Sequence, residues 1–211
     1  MDEHIALKQR MIMVVGLLIF ILTCYLGSQK LVLAFFDVGQ HDLLLPGEEK
    51  IPFMPFSILV YSLEYLLPIW LFVMISKREY ILKIIIAFVA MVIIHVFFYF
   101  SFPVEYVLRP HLSADTMGYY FISTLYEMDA PINTFPSMHV SIAFLTFFII
   151  RKYRPHLQWI GFLVAIIIST STILIKQHYI LDVVSGVMLA WLVYYVCFSK
   201  DIKLLDKFVR P

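Results

Sequence analysis

The chain has 211 residues, 62% of them hydrophobic and only 15% charged, with a formal net charge of +1. Soluble domains run at about 45–50% apolar and about 25% charged residues, so this composition excludes an ordinary soluble protein and points to an all-α integral membrane protein. The near-neutral charge gives no basis for a nucleic-acid partner, and the length suits a single membrane domain over 1–211 with little room for a separate soluble unit.

The first apolar run, from Met11 to about Gly27, follows Lys8 and Arg10. Its end, Cys24-Tyr25-Leu26-Gly27, makes a poor small-residue cleavage site, and the run reads as an uncleaved first helix. Residues 28–50 mix Phe35, Phe36 and Leu43 to Leu45 with Asp37, Asp42, Glu48 and Glu49, which predicts a loop with an interfacial segment. Spans two and three are predicted at about Pro55–Ile75 and Tyr80–Phe100, joined by the short Ser76-Lys77-Arg78-Glu79 linker and therefore antiparallel neighbours. From Ser101 to Phe135 the prolines Pro103, Pro110 and Pro131 bound irregular segments around a short amphipathic helix, Ala114–Met128, which is expected to cap one membrane face. Spans four, five and six follow at about Ser137–Ile150, Leu157–Ile175 and Leu181–Phe198, the fourth short enough to begin below the membrane surface in a protein-lined cavity. The expectation is a bundle of six transmembrane helices with a short extracytoplasmic cap helix. Cys24 and Cys197 fall inside apolar runs, the setting of small buried or lipid-facing side chains.

Basic residues are distributed unevenly between the two predicted faces. Lys8, Arg10, Lys77, Arg78, Lys83, Arg151, Lys152, Arg154, Lys200, Lys203, Lys207 and Arg210 share one side, against Lys30, Lys50, Arg109 and Lys176 on the other. This bias predicts cytoplasmic termini and an extracytoplasmic or lumenal face carrying the segments around His139 and His178.

Those segments hold the chemistry. A helix beginning near Gln177 would put His178 and Asp182 on one face at i,i+4 spacing, where the carboxylate accepts one ring N–H and leaves the other nitrogen free to act as nucleophile or base. In Pro136-Ser137-Met138-His139, the proline favours a helix start, Ser137 can cap it, and the N–H groups of the first turn can cradle an anion next to His139. Nucleophile, leaving-group acid and oxyanion stabilisers are the parts of a phosphoryl transfer through phosphohistidine. A metal site is the competing reading of two histidines and an aspartate, but the spacing matches no familiar zinc pattern and no carboxylate cluster suggests magnesium; no cofactor is expected.

The ordered set Arg109-Pro110, Pro136-Ser137-Met138-His139 and Ser171 with His178 and Asp182 resembles the type-2 phosphatidic acid phosphatase superfamily, over a core of roughly residues 55–198. The resemblance implies a metal-independent lipid phosphatase acting at the extracytoplasmic face. By that analogy His178 attacks phosphorus, Asp182 orients it, and His139 protonates the departing alcohol and later activates water. Arg109, Ser137, Ser171 and Lys176 are the candidate phosphate-binding residues. The implied substrate is a lipid phosphomonoester or diphosphate entering from the outer leaflet. Two positions depart from the family pattern: Phe102 stands where its first-block lysine belongs, and Thr172 where its third-block arginine belongs.

A phosphomonoester near neutral pH carries about −1.5 to −2, so the missing cations matter for substrate choice. A phosphodiester carries less charge, and the alternative is a phospho-head-group transferase resembling the sphingolipid synthases, which also lack that arginine. A second alternative is a non-catalytic lipid-binding protein with a degenerate site. Lys176 either lies in a loop and replaces a missing cation or is an interfacial snorkelling lysine. Glu64, near the middle of span two, either contacts substrate or hydrogen-bonds Tyr61, Tyr65 or another helix. His95 is expected in an interhelical hydrogen bond, and His111 and Asp115 either shape the entrance or are solvated. The aromatic clusters Phe97 to Phe100 and Tyr119 to Phe121 read as core and interfacial belts.

Overall fold

In a computed structural model, described over residues 4–36, 41–110, 112 and 117–199, the chain is all-helical, with no strand among those residues. The helices are α1 (Leu7–Phe35), α2 (Pro55–Met74, interrupted), α3 (Arg78–Ser101), α4 (Met117–Met128), α5 (Met138–Tyr153), α6 (Gln158–Leu174) and α7 (Ile180–Tyr194). Among the described residues, five helices are long and apolar enough to cross a membrane: α1, α2, α3, α6 with its preceding turn (Pro155–Leu174) and α7 with its following turn (Ile180–Phe198). That is the pattern of an integral membrane protein. Helix α5, at 16 residues, falls short of that length.

Helix α1 runs well past the expected end at Gly27 and takes up part of the stretch predicted as loop. The reason is local satisfaction of its polar residues. Ser28 and Gln29 are buried rather than solvated, Gln29 donating to Asp129 at 2.8 Å and Ser28 accepting from Asn133 at 3.1 Å, so they prolong the helix instead of ending it. The remainder of that stretch holds a 3₁₀ turn at Glu48–Lys50, entered through Gly47 at φ 96°, a conformation a residue without Cβ adopts freely.

Helix α2, expected as one continuous span, is broken by 3₁₀ turns at Pro55–Ser57 and Ser62–Leu66. Pro68 has no N–H to return to Glu64, and its ring crowds that carbonyl, so the preceding turn tightens and Leu67 donates to Glu64 in its place. The tightening brings Tyr61 and Glu64, three residues apart, onto one edge of the helix.

Helix α5 is the axis of the bundle. It packs against both α6 and α7, and eleven of its 16 residues are buried. Its contact with α7 is close because residue 186 is glycine: a Cβ there would lie 2.7 Å from the Ser137 carbonyl oxygen. Ser141 donates to the Gly186 carbonyl at 2.9 Å and Ser137 N–H to the Asp182 carbonyl at 3.1 Å, which locks the start of α5 to the first turns of α7.

At the other end of α5, basic side chains close carbonyl-rich helix ends. Arg10 donates to the carbonyls of Phe72, Val73 and Ile75 at 2.6, 2.9 and 3.0 Å, Arg154 to that of Met74, and Lys152 to that of Phe198 at 2.8 Å. The helix expected at Ala114–Met128 is present as α4 from Met117. His111 and Asp115, and the basic residues beyond residue 199, lie outside the described residues.

Candidate active site

His178 does not lie on a helix. Helix α7 begins at Ile180 with Tyr179 as its N-cap in extended conformation, so the expected start near Gln177 is corrected by three residues. Asp182 is the third residue of the helix, and its side chain folds back over the first turn. Oδ2 accepts the Tyr179 N–H at 2.9 Å and lies 3.3 Å from Nδ1 of His178. The pairing of imidazole and carboxylate thus arises from helix capping rather than from a shared helical face. Both side chains are buried, and with Nδ1 turned to Asp182, Nε2 is the ring nitrogen that the carboxylate does not engage.

His139 enters from the first turn of α5, where Ser137 is the N-cap and accepts the Val140 N–H at 3.4 Å. The two imidazoles face each other across a ring-centroid separation of 5.7 Å. His139 Nε2 lies 2.5 Å from the Tyr61 hydroxyl and 3.1 Å from Oε2 of Glu64, both from the tightened part of α2. Its Nδ1 is buried with no hydrogen-bond partner. Of the readings open for Glu64, the structure shows contact with a histidine on another helix. Tyr25 of α1 adds an edge-on ring contact to His139 at 6.2 Å.

Arg109 approaches from the irregular segment between α3 and α4. Nη1 donates to the Asp129 carbonyl at 2.7 Å, Nη2 donates to Oε1 of Gln177, and the guanidinium lies over the Tyr126 ring at 4.3 Å, with Nε left without a partner. The Asp129 carboxylate takes hydrogen bonds from Tyr25 and Gln29 at 2.8 Å each on Oδ1, and from Gln177 at 3.2 Å on Oδ2. Burial pushes the Asp129 carboxyl above the usual carboxylate range, opposed by the Tyr25 hydrogen bond and the Arg109 charge, while burial lowers Arg109 from the ordinary guanidinium value. Gln177 therefore bridges arginine and carboxylate directly beside His178. Nothing in the local pattern marks Asp129 or Gln177 as site residues; position next to His178 is the one available signal for Gln177.

Lys176 lies in the turn before His178, at φ 56°, and its Nζ points to the Glu48 carbonyl at 3.4 Å. Burial lowers its pKa from the ordinary lysine value. Glu48 in turn covers the start of α7, accepting the Ile180 N–H at 2.5 Å. Ser171 and Thr172 spend their hydroxyls inside α6, on the carbonyls of Ile168 and Ser169 at 2.6 and 2.8 Å. Phe102 stacks on His41 with ring centroids 4.2 Å apart. His95 Nδ1 bonds the Met91 carbonyl of its own helix at 2.8 Å, and the ring also meets the Ser137 backbone at the start of α5. Among the described residues no group of three or more His, Cys, Asp or Glu side chains is arranged to hold a metal ion.

The all-helical, membrane-type bundle thus brings two histidines, one of them held by a carboxylate, to the starts of neighbouring helices. The chain belongs to the PAP2 superfamily, whose model matches residues 48–196. That superfamily generally comprises phosphatases. An uncharacterized protein of Methanocaldococcus jannaschii is 30% identical over 101 residues, which are 45% of this chain and 40% of that protein, so the chain spans well under two thirds of this curated relative. No solved structure matches.

Proposed function

We propose that the protein is a six-span membrane lipid phosphatase that hydrolyses a lipid phosphomonoester or diphosphate at the extracytoplasmic face through a phosphohistidine. The observation that carries this reading is the Asp182–His178 pair at 3.3 Å facing His139 across 5.7 Å in a chain of this superfamily. Helix α5 is the remaining span, fourth in chain order, short because it starts in the protein interior. The bias of basic residues supports cytoplasmic termini.

In the first step Nε2 of His178 forms the P–N bond as the bond from phosphorus to the alcohol oxygen breaks, and protonated His139 gives its proton to that oxygen. In the second, water attacks phosphorus, His139 takes a proton from the water, the P–N bond breaks, and phosphate leaves. Asp182 holds the attacking ring and stabilises its cationic form. Arg109 and the start of α5 at Ser137 supply donors for phosphate oxygens, with Lys176 and Ser171 around them. The test is free phosphate release by purified protein from a panel of lipid phosphates and diphosphates in detergent with EDTA. Metal-independent release that His178→Ala abolishes supports the mechanism; a strict need for added divalent metal overturns it.

The surround of the site supports a second reading, transfer of a phospho-head-group between lipids. Arg109 is already engaged by Asp129 and Gln177 and Lys176 by Glu48, while Phe102 and Thr172 carry no charge. A site with so little free positive charge suits a phosphodiester better than a doubly charged monoester. Offered a phosphodiester lipid and a labelled alcohol, a transferase yields labelled lipid without free phosphate. Lipid binding with neither product identifies a non-catalytic lipid-binding protein.

A further inference from the structure

An apolar groove of about 210 Å³ runs between α1, α2 and α5 and ends at the site. Leu18, Ile21 and Leu22 of α1 form one wall, Ile142 of α5 part of the other, and Glu64 and His139 lie at its polar end. Leu22 and the neighbouring Ile19 are half or more exposed, so the mouth opens sideways on the outer surface of a helix apolar enough to cross a membrane. The volume is below the roughly 300–1,000 Å³ of sites for whole drug-sized ligands, which fits part of one hydrocarbon chain and leaves no room for a head group.

The polar end is unfinished. Nδ1 of His139 is buried with no hydrogen-bond partner, while Oε2 of Glu64 lies 3.1 Å from the other ring nitrogen, Nε2. A buried polar atom of this kind beside an apolar channel is costly unless something bonds it in the working state. An alcohol oxygen meets the need, since it can accept from a ring N–H or donate to a bare ring nitrogen. His178 is not a lining residue, whereas His139 is. The groove thus serves the side of phosphorus on which the alcohol departs.

We propose that this groove holds the hydrocarbon chain of the alcohol esterified to the phosphate, with the alcohol oxygen at His139, and that α1 sets which chains are accepted. The inference rests on the assignment of His139 to the alcohol side. It reaches further because α1, at Leu7–Phe35, lies wholly outside the segment 48–196 that defines the superfamily. Substrate selection is then built from residues outside that matched segment, and the preferred substrate is the phosphate ester of a long-chain lipid alcohol.

The full chain in lipid nanodiscs is labelled with a long-chain alkyl phosphate bearing a diazirine near its tail, and the adducts are mapped by peptide sequencing. Adducts on residues 18–22 or on Ile142, lost in Leu18→Trp and Leu22→Trp, are expected; adducts confined to the outer faces of α6 and α7 overturn the proposal. The same variants lower the ratio of long-chain to short-chain turnover by about tenfold or more; equal loss on both substrates overturns it. Labelling needs no turnover, so groove adducts without phosphate release reject the hydrolytic reading alone. Phosphate release with adducts elsewhere rejects the groove alone.

Discussion

Oδ2 of Asp182 accepts the Tyr179 N–H at 2.9 Å and lies 3.3 Å from Nδ1 of His178, so one carboxylate oxygen both caps α7 and orients the candidate nucleophile. Asp182→Asn separates the two duties. An asparagine oxygen still caps the helix, but the neutral amide no longer stabilises a cationic imidazole. The expected outcome is a fall in kcat of about 10³–10⁴-fold with a nearly unchanged melting temperature, read by phosphate release and thermal unfolding in detergent. Full turnover in this variant would remove Asp182 from the mechanism.

In the proposed mechanism Glu64, 3.1 Å from His139, acts through that ring as a positioning residue. In Glu64→Gln the ring loses its carboxyl neighbour but keeps Tyr61. The expected loss in kcat is smaller than the roughly 10²–10⁴-fold that a direct proton donor contributes, with KM for the ester little changed. The pH–rate profile should also shift, which a purely structural role would not produce. A rise in KM at constant kcat would place Glu64 in contact with the bound ester instead.

Gly186→Ala tests how tightly the two histidines are registered. The new Cβ would sit 2.7 Å from the Ser137 carbonyl oxygen and 3.1 Å from the Val140 Cβ, and the backbone atom cannot swing aside. Relief requires α5 and α7 to separate, which carries His139 away from His178. Overpacking of this kind costs about 1–3 kcal/mol, and the expected result is a lower melting temperature together with lost turnover. Normal activity would show that the register of these helices is not what aligns the site.

Asp129 gives a pH dependence whose sign can be worked out. Burial raises its carboxyl in the folded state above the unfolded value of about 3.9, so folding favours the protonated form. The stabilising contribution is complete below the unfolded value and is lost as pH rises through the folded one. Asp129→Asn removes it, so on acidification from neutral pH the melting temperature of the native protein should gain relative to the variant. Parallel curves would contradict this. The variant also sets an amide N–H₂ against the Gln177 N–H₂, and the weakened hold on Arg109 should appear as an altered KM.

The site was legible in the sequence where its chemistry follows the chain locally. Pro136 and Ser137 mark the start of α5, and the spacing of His178 and Asp182 survives the correction of the helix start, because a side chain at the third helical position reaches back to the residues before the cap. The break in α2 was open to reading from Pro68. The surround was not legible. Asp129, Gln29, Tyr25 and Gln177 meet across as many as 104 positions, and no local periodicity encodes that meeting. For the same reason the polar end of α1 read as loop, its partners being a hundred residues away. Lys176 was open between two roles because the left-handed turn that aims it at Glu48 has no signature in a lysine.

Arg10 and Gln29 pin α1 at two points, one to the carbonyl end of α2 and the other to Asp129. They are 19 residues apart, about 28 Å of helix rise, close to the roughly 30 Å hydrocarbon thickness of a bilayer. A helix fastened at both membrane surfaces is a fixed doorpost rather than a swinging door. Under the proposed function, traffic between the lipid phase and His139 passes beside the post, at the depth of the chain methylenes, and its rate should depend on the fluidity and thickness of the surrounding bilayer more than on any motion of the protein.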